Sequence, residues 1–499
     1  IAEDHKQSYG LDLAATSTAC NLGTGFYYAC GSRISGQNHT KASGRYCTGS
    51  GDSTEYFTGG GNTLDFNSTD IILLGNSGAT NTIGFNVGDW TWNCRAFYYY
   101  LPDETKWLVY WLHQQNPTVN SATSSTAAKT HIINGDVHIL KGKLYNSYTD
   151  SDRTGVGLTY GDTTIYADAE LNLDVTTSVN DHVDCSFHSI TTKADGTFSA
   201  TPKTTNITDG SGAGTWGLKN GGTFTHNDGT IRTTSSEGTV HLQANTFYNI
   251  TVDMSDSTKQ TKFRDNSGNT VTIAGDLTIA EGKFIRDNVS DTLTVTGDVE
   301  IESGGTLGHA QETGASNFRS IYVKSGGTYI APTGTTTVTG NNGSYVGLKL
   351  ENGGTLTHNA GTFQFDSSGE TWITSDTNNH DIPFYNLIIN GPGIYTNKPD
   401  IVCDNNLTVN AGKLLRPYNT HNNFTIKGDA KISGTLGKDA WGLNEPGKAA
   451  VSFGSLEILS GGTYTATQQT TTINGGFHNN GTYTHNGGTI EMGGTGSVV

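Results

Sequence analysis

The chain has 499 residues, of which 33% are hydrophobic and 15% are charged, and its formal net charge is −17. Charged residues are too few for a typical disordered tail, and hydrophobic residues are too few for one large globular core. The acidic balance, with no cluster of Lys and Arg, argues against nucleic-acid binding. No apolar run approaches the roughly 20 residues that span a bilayer.

Residues 1–125 lack the repeats found further on and are predicted to form a separate β-rich N-terminal module. In an oxidising compartment its cysteines could form two disulfides, in any of three pairings. The isolated Cys185 and Cys403 are instead expected to be small core residues. The cysteines of the module are Cys20, Cys30, Cys47 and Cys94.

Two aromatic blocks stand out in this module, WTWNCRAFYYY at 90–100 and WLVYW at 107–111. Carbohydrates are commonly held by stacking on Trp and Tyr rings, although burial in a β-rich core is the more frequent fate of such side chains. If this segment recognises a glycan, the predicted contacts are Trp90, Trp92, Tyr98, Tyr100, Trp107 and Trp111.

Beyond the N-terminal module, one sequence line returns three times: GGTFTHNDGTI at 221–231, GGTLTHNAGTF at 353–363 and NGTYTHNGGTI at 480–490. The copies lie roughly 130 residues apart, and a fixed long period indicates units that stack on their neighbours. Other landmarks recur in the same order, such as LTIAEGK at 277–283 and LTVNAGK at 407–413. The predicted modules are 126–260, 261–392 and an incomplete 393–499.

Within a module, short β-rich runs alternate with Gly, Asn, Asp and Ser clusters. Equivalent strands recur about every 22 to 27 residues, the length of one coil of a parallel β-helix. Gly-Gly-Thr and Asn-Gly steps supply positive φ at the corners, and Thr and Asn are expected to form ladders between coils. The predicted fold is therefore all-β, a parallel β-helix (β-solenoid), in which Leu350 points inward.

Lines of the form SGGTxT, THNxGTxxF and FYNLTI resemble the β-strand repeats of large bacterial surface proteins and of tailed-phage fibres and appendages. The resemblance covers the chain from His131 onward. It implies a long, rigid, protease-resistant structure that spaces or presents binding surfaces. It extends to no catalytic signature and says nothing of residues 1–125.

Parallel β-helices also house polysaccharide-degrading enzymes, which need paired carboxylates about 5 to 9 Å apart. The densest acidic cluster is Asp181, His182 and Asp184, for which a solvated turn is the competing interpretation. Arg264–Asp265 and Arg286–Asp287 are adjacent pairs, and adjacent strand residues point to opposite faces. No catalytic residue is therefore assigned.

His226, His358 and His485 occupy the same place in each module. Modules separated by about five rungs of roughly 4.8 Å put them too far apart to share one metal ion, so a turn or stacking role is predicted. The DSDRTG stretch at 150–155 lacks the ligands that complete a Ca²⁺ loop. No cofactor is expected. An Asp or Asn turn could bind a Ca²⁺ ion, but the sequence does not indicate which residues would hold it.

The sequence thus predicts a non-enzymatic structural protein at a virion or cell surface, with a phage fibre or appendage favoured. A bacterial adhesin or filament subunit and a tailspike-like enzyme are the alternatives. Expected partners are further copies of the chain, as a homotrimer or an end-to-end filament, and a host or cell-surface glycan. The absence of an initial Met and the unfinished third module predict a longer parent polypeptide.

Overall fold

The computed structural model places the backbone of residues 20–21, 26–30, 53–57, 62–65, 70–74, 81–85, 90–100, 106–112, 130–145, 153–155, 157–174, 182–208, 216–244, 246–264, 270–344, 346–378, 380–417, 423–437 and 450–494. Before residue 130, side chains are described only for Thr91 and for residues 93–99. The described chain is all-β, and no helix in it is long and apolar enough to cross a membrane. It divides into two compact units, residues 1–244 and 245–499.

The strands of the first unit are β1 (Cys20–Asn21), β2 (Phe26–Cys30), β3 (Ser53–Phe57), β4 (Asn62–Asp65), β5 (Asp70–Leu74), β6 (Asn81–Phe85), β7 (Trp90–Tyr100), β8 (Lys106–Leu112), β9 (Thr130–Tyr145), β10 (Arg153–Gly155), β11 (Gly157–Ile165), β12 (Ala169–Asn172), β13 (Cys185–Thr192), β14 (Thr197–Ser199), β15 (Thr204–Ile207), β16 (Trp216–Asn220), β17 (Thr223–Thr225), β18 (Thr230–Thr233) and β19 (Thr239–Gln243).

The strands of the second unit are β20 (Thr246–Phe247), β21 (Asn249–Asp253), β22 (Gln260–Arg264), β23 (Thr270–Ile273), β24 (Leu277–Arg286), β25 (Thr292–Ile301), β26 (Gly305–Leu307), β27 (Ser316–Val323), β28 (Thr328–Ile330), β29 (Thr335–Val338), β30 (Val346–Leu350), β31 (Thr355–Thr357), β32 (Thr362–Phe365), β33 (Glu370–Thr374), β34 (Asp381–Phe384), β35 (Asn386–Ile389), β36 (Gly393–Asn397), β37 (Asp400–Cys403), β38 (Leu407–Val409), β39 (Leu414–Pro417), β40 (Phe424–Ile432), β41 (Thr435–Leu436), β42 (Val451–Ile458), β43 (Thr463–Thr465), β44 (Thr470–Ile473), β45 (Phe477–Asn479), β46 (Thr482–Thr484) and β47 (Thr489–Met492).

In the first unit, parallel pairing joins β7 to β9, β9 to β11, β11 to β13, and β13 to β15 and β16. Each strand in this series pairs with a strand of the coil that follows it, so that the chain winds as a solenoid. Because β7 lies before residue 125 and β9 after it, the parallel pairing crosses the predicted edge of the N-terminal module. The antiparallel pair of β8 with β10 is the exception among the described strands of this unit.

The second unit repeats the same construction, for example in the parallel series β25, β27 and β30. Residues alternate between a buried inner face and an outer face, as period-two strands require. Ile301 lies beside Val323, which lies beside Leu350, and each is at most 1% exposed. The predicted parallel β-solenoid is confirmed in both units.

The repeated Gly-Gly-Thr corners owe their sequence to backbone geometry. The first Gly of the pair has positive φ, +80° at Gly326 and +84° at Gly461, a region that residues with a Cβ rarely adopt. A Cβ on the second, Gly327, would lie 2.6 Å from the carbonyl oxygen of Ile301 in the preceding coil. These corners therefore confirm the predicted use of glycine.

Two recurrent tyrosines bring a polar group into the core. The hydroxyl of Tyr329 hydrogen-bonds that of Thr336 at 2.8 Å, and Tyr464 contacts Thr471 in the same way at 3.2 Å. All four side chains are at most 1% exposed. Each Thr therefore satisfies a hydroxyl that would otherwise be costly to bury.

Leu350→Asp should destabilise the second unit by several kcal/mol, since an unpaired carboxylate would replace a side chain that is 1% exposed. The damage should centre on the neighbouring coils, because each coil contacts only the next. Hydrogen exchange followed peptide by peptide would measure this, with the outward Thr337→Asp as control. Uniform loss of protection throughout the second unit would contradict local coil-to-coil stabilisation.

Candidate functional site

The coils of the second unit are joined at one corner by a ladder of side-chain oxygens. Asn249 Oδ1 accepts the N–H of Asp276 at 2.8 Å, and Asp276 Oδ1 accepts the N–H of Asp298 at 2.8 Å. The next rung is the Ser320 hydroxyl, which donates to Asp298 Oδ1 at 2.6 Å. Gly297 leaves room for this contact, since a Cβ there would lie 2.2 Å from Asp276 Oδ1.

The third predicted module repeats this corner ladder. Asn406 Oδ1 accepts the N–H of Asp429 at 2.9 Å, and Asp429 Oδ1 accepts the hydroxyl of Ser455 at 2.5 Å. Sequence analysis missed the ladder, although a signal was present in Gly-Asp or Gly-Ser steps such as TGDV at 296–299, KGDA at 427–430 and FGSL at 453–456. These steps coincide with shifts in strand register.

Arg319 neutralises one carboxylate of the ladder through two hydrogen bonds to Asp298, at 2.9 and 2.6 Å. Burial opposes ionisation of Asp298, but the bonds from Arg319 and Ser320 outweigh it and hold the pKa of that carboxyl below its usual range. The carboxylate is therefore engaged as an acceptor between coils.

The three repeated histidines close turns, as predicted. The Nδ1 atom accepts the N–H two residues on, at 3.1 Å in His226, 3.1 Å in His358 and 3.0 Å in His485. An Nδ1 that accepts leaves the ring proton on Nε2, and in His358 this atom lies 3.1 Å from Asp404 Oδ2. The following Asn has positive φ in each copy, from +46° to +49°.

The Gly of each THNxG turn is required by a close approach between coils. A Cβ would lie 2.0 Å from Thr201 O at Gly229, 2.1 Å from Pro332 O at Gly361, and 2.2 Å from Thr467 O at Gly488. The repeated THNxG sequence is therefore a turn motif, and its glycine is required by the close approach of the neighbouring coil. Each His accepts a backbone N–H within its own turn, and His358 also reaches Asp404 of another coil.

The second unit also contains a buried ion pair. Arg286 and Glu312 are 3% and 2% exposed, and their side chains lie 3.1 Å apart. Arg286 further donates to the carbonyl oxygens of Asp291 at 2.7 Å and Ala315 at 3.1 Å. Burial raises the pKa of Glu312, against the lowering effect of Arg286. The ion pair connects Arg286, at the end of β24, to Glu312, in the loop of the following coil, and both side chains are buried.

The acidic residues considered for catalysis are engaged in pairs within the described structure. His182 Nε2 lies 2.9 Å from Asp174 Oδ1, and Asp184 accepts the N–H of Thr204 at 2.9 Å. Arg264 pairs with Asp287 of the next coil instead of sharing a site with its sequence neighbour. Asp181 and Asp265 lie outside the described residues.

Of the predicted glycan contacts, Tyr98 is the one whose side chain is described. It stacks on the ring of His138 in the next coil, with centroids 4.7 Å apart and an interplanar angle of 15°. One ring face is therefore occupied by protein. The backbone places Trp90, Trp92 and Tyr100 with it on β7, and Trp107 and Trp111 on β8, but their side chains lie outside the described residues.

An outward aromatic ladder in the second unit was missed by sequence analysis. Trp372 stacks on Tyr395 with centroids 5.1 Å apart and an angle of 25°, and the Arg416 guanidinium lies 5.9 Å from the Tyr395 centroid. The Tyr395 hydroxyl donates to Glu370 at 3.1 Å. Since Trp372 and Arg416 occupy both sides of the Tyr395 ring, this ladder stabilises adjacent coils and offers a sugar no open Tyr395 face.

The same outer sheet bears a network of charged groups. Lys349 Nζ lies 4.2 Å from the Tyr322 ring centroid and 3.1 Å from Glu351, while Lys324 bridges Glu300 at 2.6 Å and Glu302 at 2.5 Å. These side chains come from consecutive coils. Opposite charges therefore neutralise one another along the outer face.

The two cysteines outside the N-terminal module lie in the core. Cys185 and Cys403 are buried as predicted, and the Cys403 thiol donates to the carbonyl oxygens of Tyr385 and Asn406 at 3.0 and 3.1 Å. Burial raises the pKa of Cys403 to about 12. Among the described residues, no group of three His, Cys, Asp or Glu side chains is placed to hold a metal. Residues 150–152 and Cys20, Cys30 and Cys47 lie outside the described side chains.

A chain of three polar rings is buried in the first unit. The Tyr160 hydroxyl lies 3.2 Å from His131 Nδ1 and 3.3 Å from the Tyr99 hydroxyl. Burial lowers the pKa of His131 to about 3 and raises the pKa values of both tyrosines. The three groups are therefore neutral and hydrogen-bonded across consecutive coils at ordinary pH.

No protein-family model matches this chain, and neither a curated protein nor a solved structure matches it. The fold and the contacts between coils are therefore the grounds for any functional conclusion.

Gly361→Ala should lower the stability of the second unit by about 1–3 kcal/mol, because its methyl group would enter the space of Pro332 O. Gly369→Ala is the matched control, since a Cβ there meets no described atom within 4 Å. Thermal and urea unfolding of both variants would measure the difference. Equal midpoints for the two would show that the close approach at Gly361 is not needed.

His131 should make the first unit less stable as the pH falls from about 6.5 to about 3, by about 1.4 kcal/mol per pH unit. In that window the unfolded histidine binds a proton that the buried one does not. Urea unfolding at several pH values would show a shallower slope for His131→Phe than for Tyr160→Phe, which keeps the histidine. Identical slopes in the two variants would contradict burial of a neutral His131.

Proposed function

We propose that this chain is a non-enzymatic structural protein of a virion or cell surface, whose coils form a rigid stalk or fibre. Its task is to hold adhesive surfaces at a fixed spacing. A phage fibre or appendage is the favoured setting, and an extracellular location follows from that role.

The observation that carries the proposal is the direction of the side-chain contacts. Inside, Ile301, Val323 and Leu350 stack from coil to coil, and outside, charged and aromatic ladders follow the same direction. The contacts thus join each coil to the next, which is the requirement for a stiff, extensible array.

A cell-surface adhesin or a filament subunit is the second candidate, and it uses the same coils. Assembly distinguishes the candidates: a fibre is expected as a homotrimer, an adhesin as a single chain, and a filament subunit as an end-to-end polymer. Native mass spectrometry of the full chain separates these three outcomes.

A polysaccharide-degrading enzyme is the remaining alternative. Release of reducing ends from a panel of bacterial polysaccharides, lost in Asp181→Ala and Asp184→Ala, would support it and overturn the structural proposal. Because Asp184 accepts the Thr204 N–H, unfolding of each variant must be measured beside activity.

Deletion of residues 261–380 should leave a folded, protease-resistant second unit that is roughly 25 Å shorter, since about five coils of about 4.8 Å are removed and β34 takes the place of β22 in the same column of strands. Deletion of 261–392 is the control, because it joins β22 to β36 of another column, removes part of a coil and should break the strand register. Small-angle scattering and electron microscopy would compare the two. An unchanged length for the first deletion would contradict the spacer proposal.

A further inference from the structure

Two columns of outward positions on one sheet of the second unit carry no charged side chain over six neighbouring strands. These positions bear hydroxyl, amide or, in one case, aliphatic side chains and are rich in threonine. This surface, which we call the neutral array, consists of Thr270, Thr272, Thr292, Thr294, Asn317, Thr335, Thr337, Thr362, Gln364, Asn386 and Ile388.

The neutral array is ordered in two directions because the strands pair in parallel and in register. Thr270 and Thr272 lie beside Thr292 and Thr294, and Thr335 lies beside Thr362. Neighbouring strands are spaced by about 4.8 Å, and alternate residues along a strand by about 6.7 Å. The result is a two-column lattice of hydroxyl, methyl and amide groups.

The threonine hydroxyls of this lattice are largely available to an external partner. The hydroxyls of Thr292, Thr335 and Thr337 hydrogen-bond no group in the described part of the chain, whereas those of Thr294 and Thr362 accept from Asn side chains at 3.4 Å. β-Branching restricts the χ1 rotamers of these side chains. The hydroxyls are therefore presented in few orientations, which lowers the entropy cost of binding an ordered surface.

The fold does not require this composition. Elsewhere in the second unit, Asp381 is exposed at the start of β34, and the neighbouring face of the coils that carry the neutral array bears Glu300 and Lys349. A chain of net charge −17 thus keeps two regular columns free of charge.

We infer that the neutral array binds a flat plane of ordered water, as presented by an ice crystal. Hydroxyls and amides at fixed spacing can replace water molecules of such a plane, while the methyl groups fill the gaps between them. Ice planes repeat over distances comparable to those of the array. The inference goes beyond the structural role proposed above.

Other occupants fit these observations less well. The array has no aromatic face for a soluble sugar and no cation for a phosphate. Its area, on the order of 300 Å² from the strand spacings, falls well short of the roughly 800 Å² per partner of a stable protein interface. A second copy of the chain is therefore not the occupant we propose.

The test uses the full chain, labelled with a fluorophore, and Thr337→Lys, which places a charge in the middle of the array. Wild type should enter a growing ice hemisphere and slow ice recrystallisation, and Thr337→Lys should lose both properties. Thr335→Lys is the second variant at the array, and Thr355→Lys, exposed on β31 of another face, is the matched control that should behave as wild type. Circular dichroism melting verifies that each variant is folded.

Three results would overturn the inference. The first is exclusion of the wild-type protein from ice, and the second is equal ice binding by wild type, Thr337→Lys and Thr335→Lys. The third is that the wild-type protein does not bind ice but shows a different association, which Thr337→Lys loses. That association would be self-association in sedimentation, or binding to crystalline cellulose or chitin.

Discussion

Parallel in-register pairing between consecutive coils is the constraint on which the rest of the structure depends. Within paired strands it places a side chain beside its counterpart in the next coil, so that favourable contacts such as Ile301, Val323 and Leu350 are repeated along the stack. The same constraint requires glycine where the neighbouring backbone leaves no room for a Cβ, as at Gly361. Core, corners and outer ladders are consequences of this single arrangement.

The fold was predictable because its determinants are local and repeated. Alternating aliphatic residues, glycine corners and the THNxG line each mark the same coil, and the agreement of these signals indicates the solenoid. The turn role of His358 was also predictable, since the spacing of its copies excludes a shared metal. The predicted boundary at residue 125 stays a prediction, although β7 pairs across it with β9.

The outer surface was less predictable because its chemistry depends on which strands become neighbours. LTIAEGKFIR and LTVNAGKLLR look equivalent, yet Arg286 is buried against Glu312 whereas Arg416 lies outward beside Tyr395. A shift of one residue after the turn reverses the face that a strand residue occupies. Likewise, the sequence around Trp372 does not indicate that Tyr395 is its partner. The glycan contacts predicted at Tyr98 and the other aromatic residues of the N-terminal module stay a prediction.

The corner ladder gives the stack a direction. Asn249 offers its oxygen to Asp276, and Asp276 offers its own to Asp298, so the acceptor always precedes the donor in the chain. A coil that has already formed therefore holds acceptors ready for the segment that leaves the ribosome next. Synthesis from the amino terminus and the polarity of the ladder run the same way, so that translation itself can lay down the coils in order.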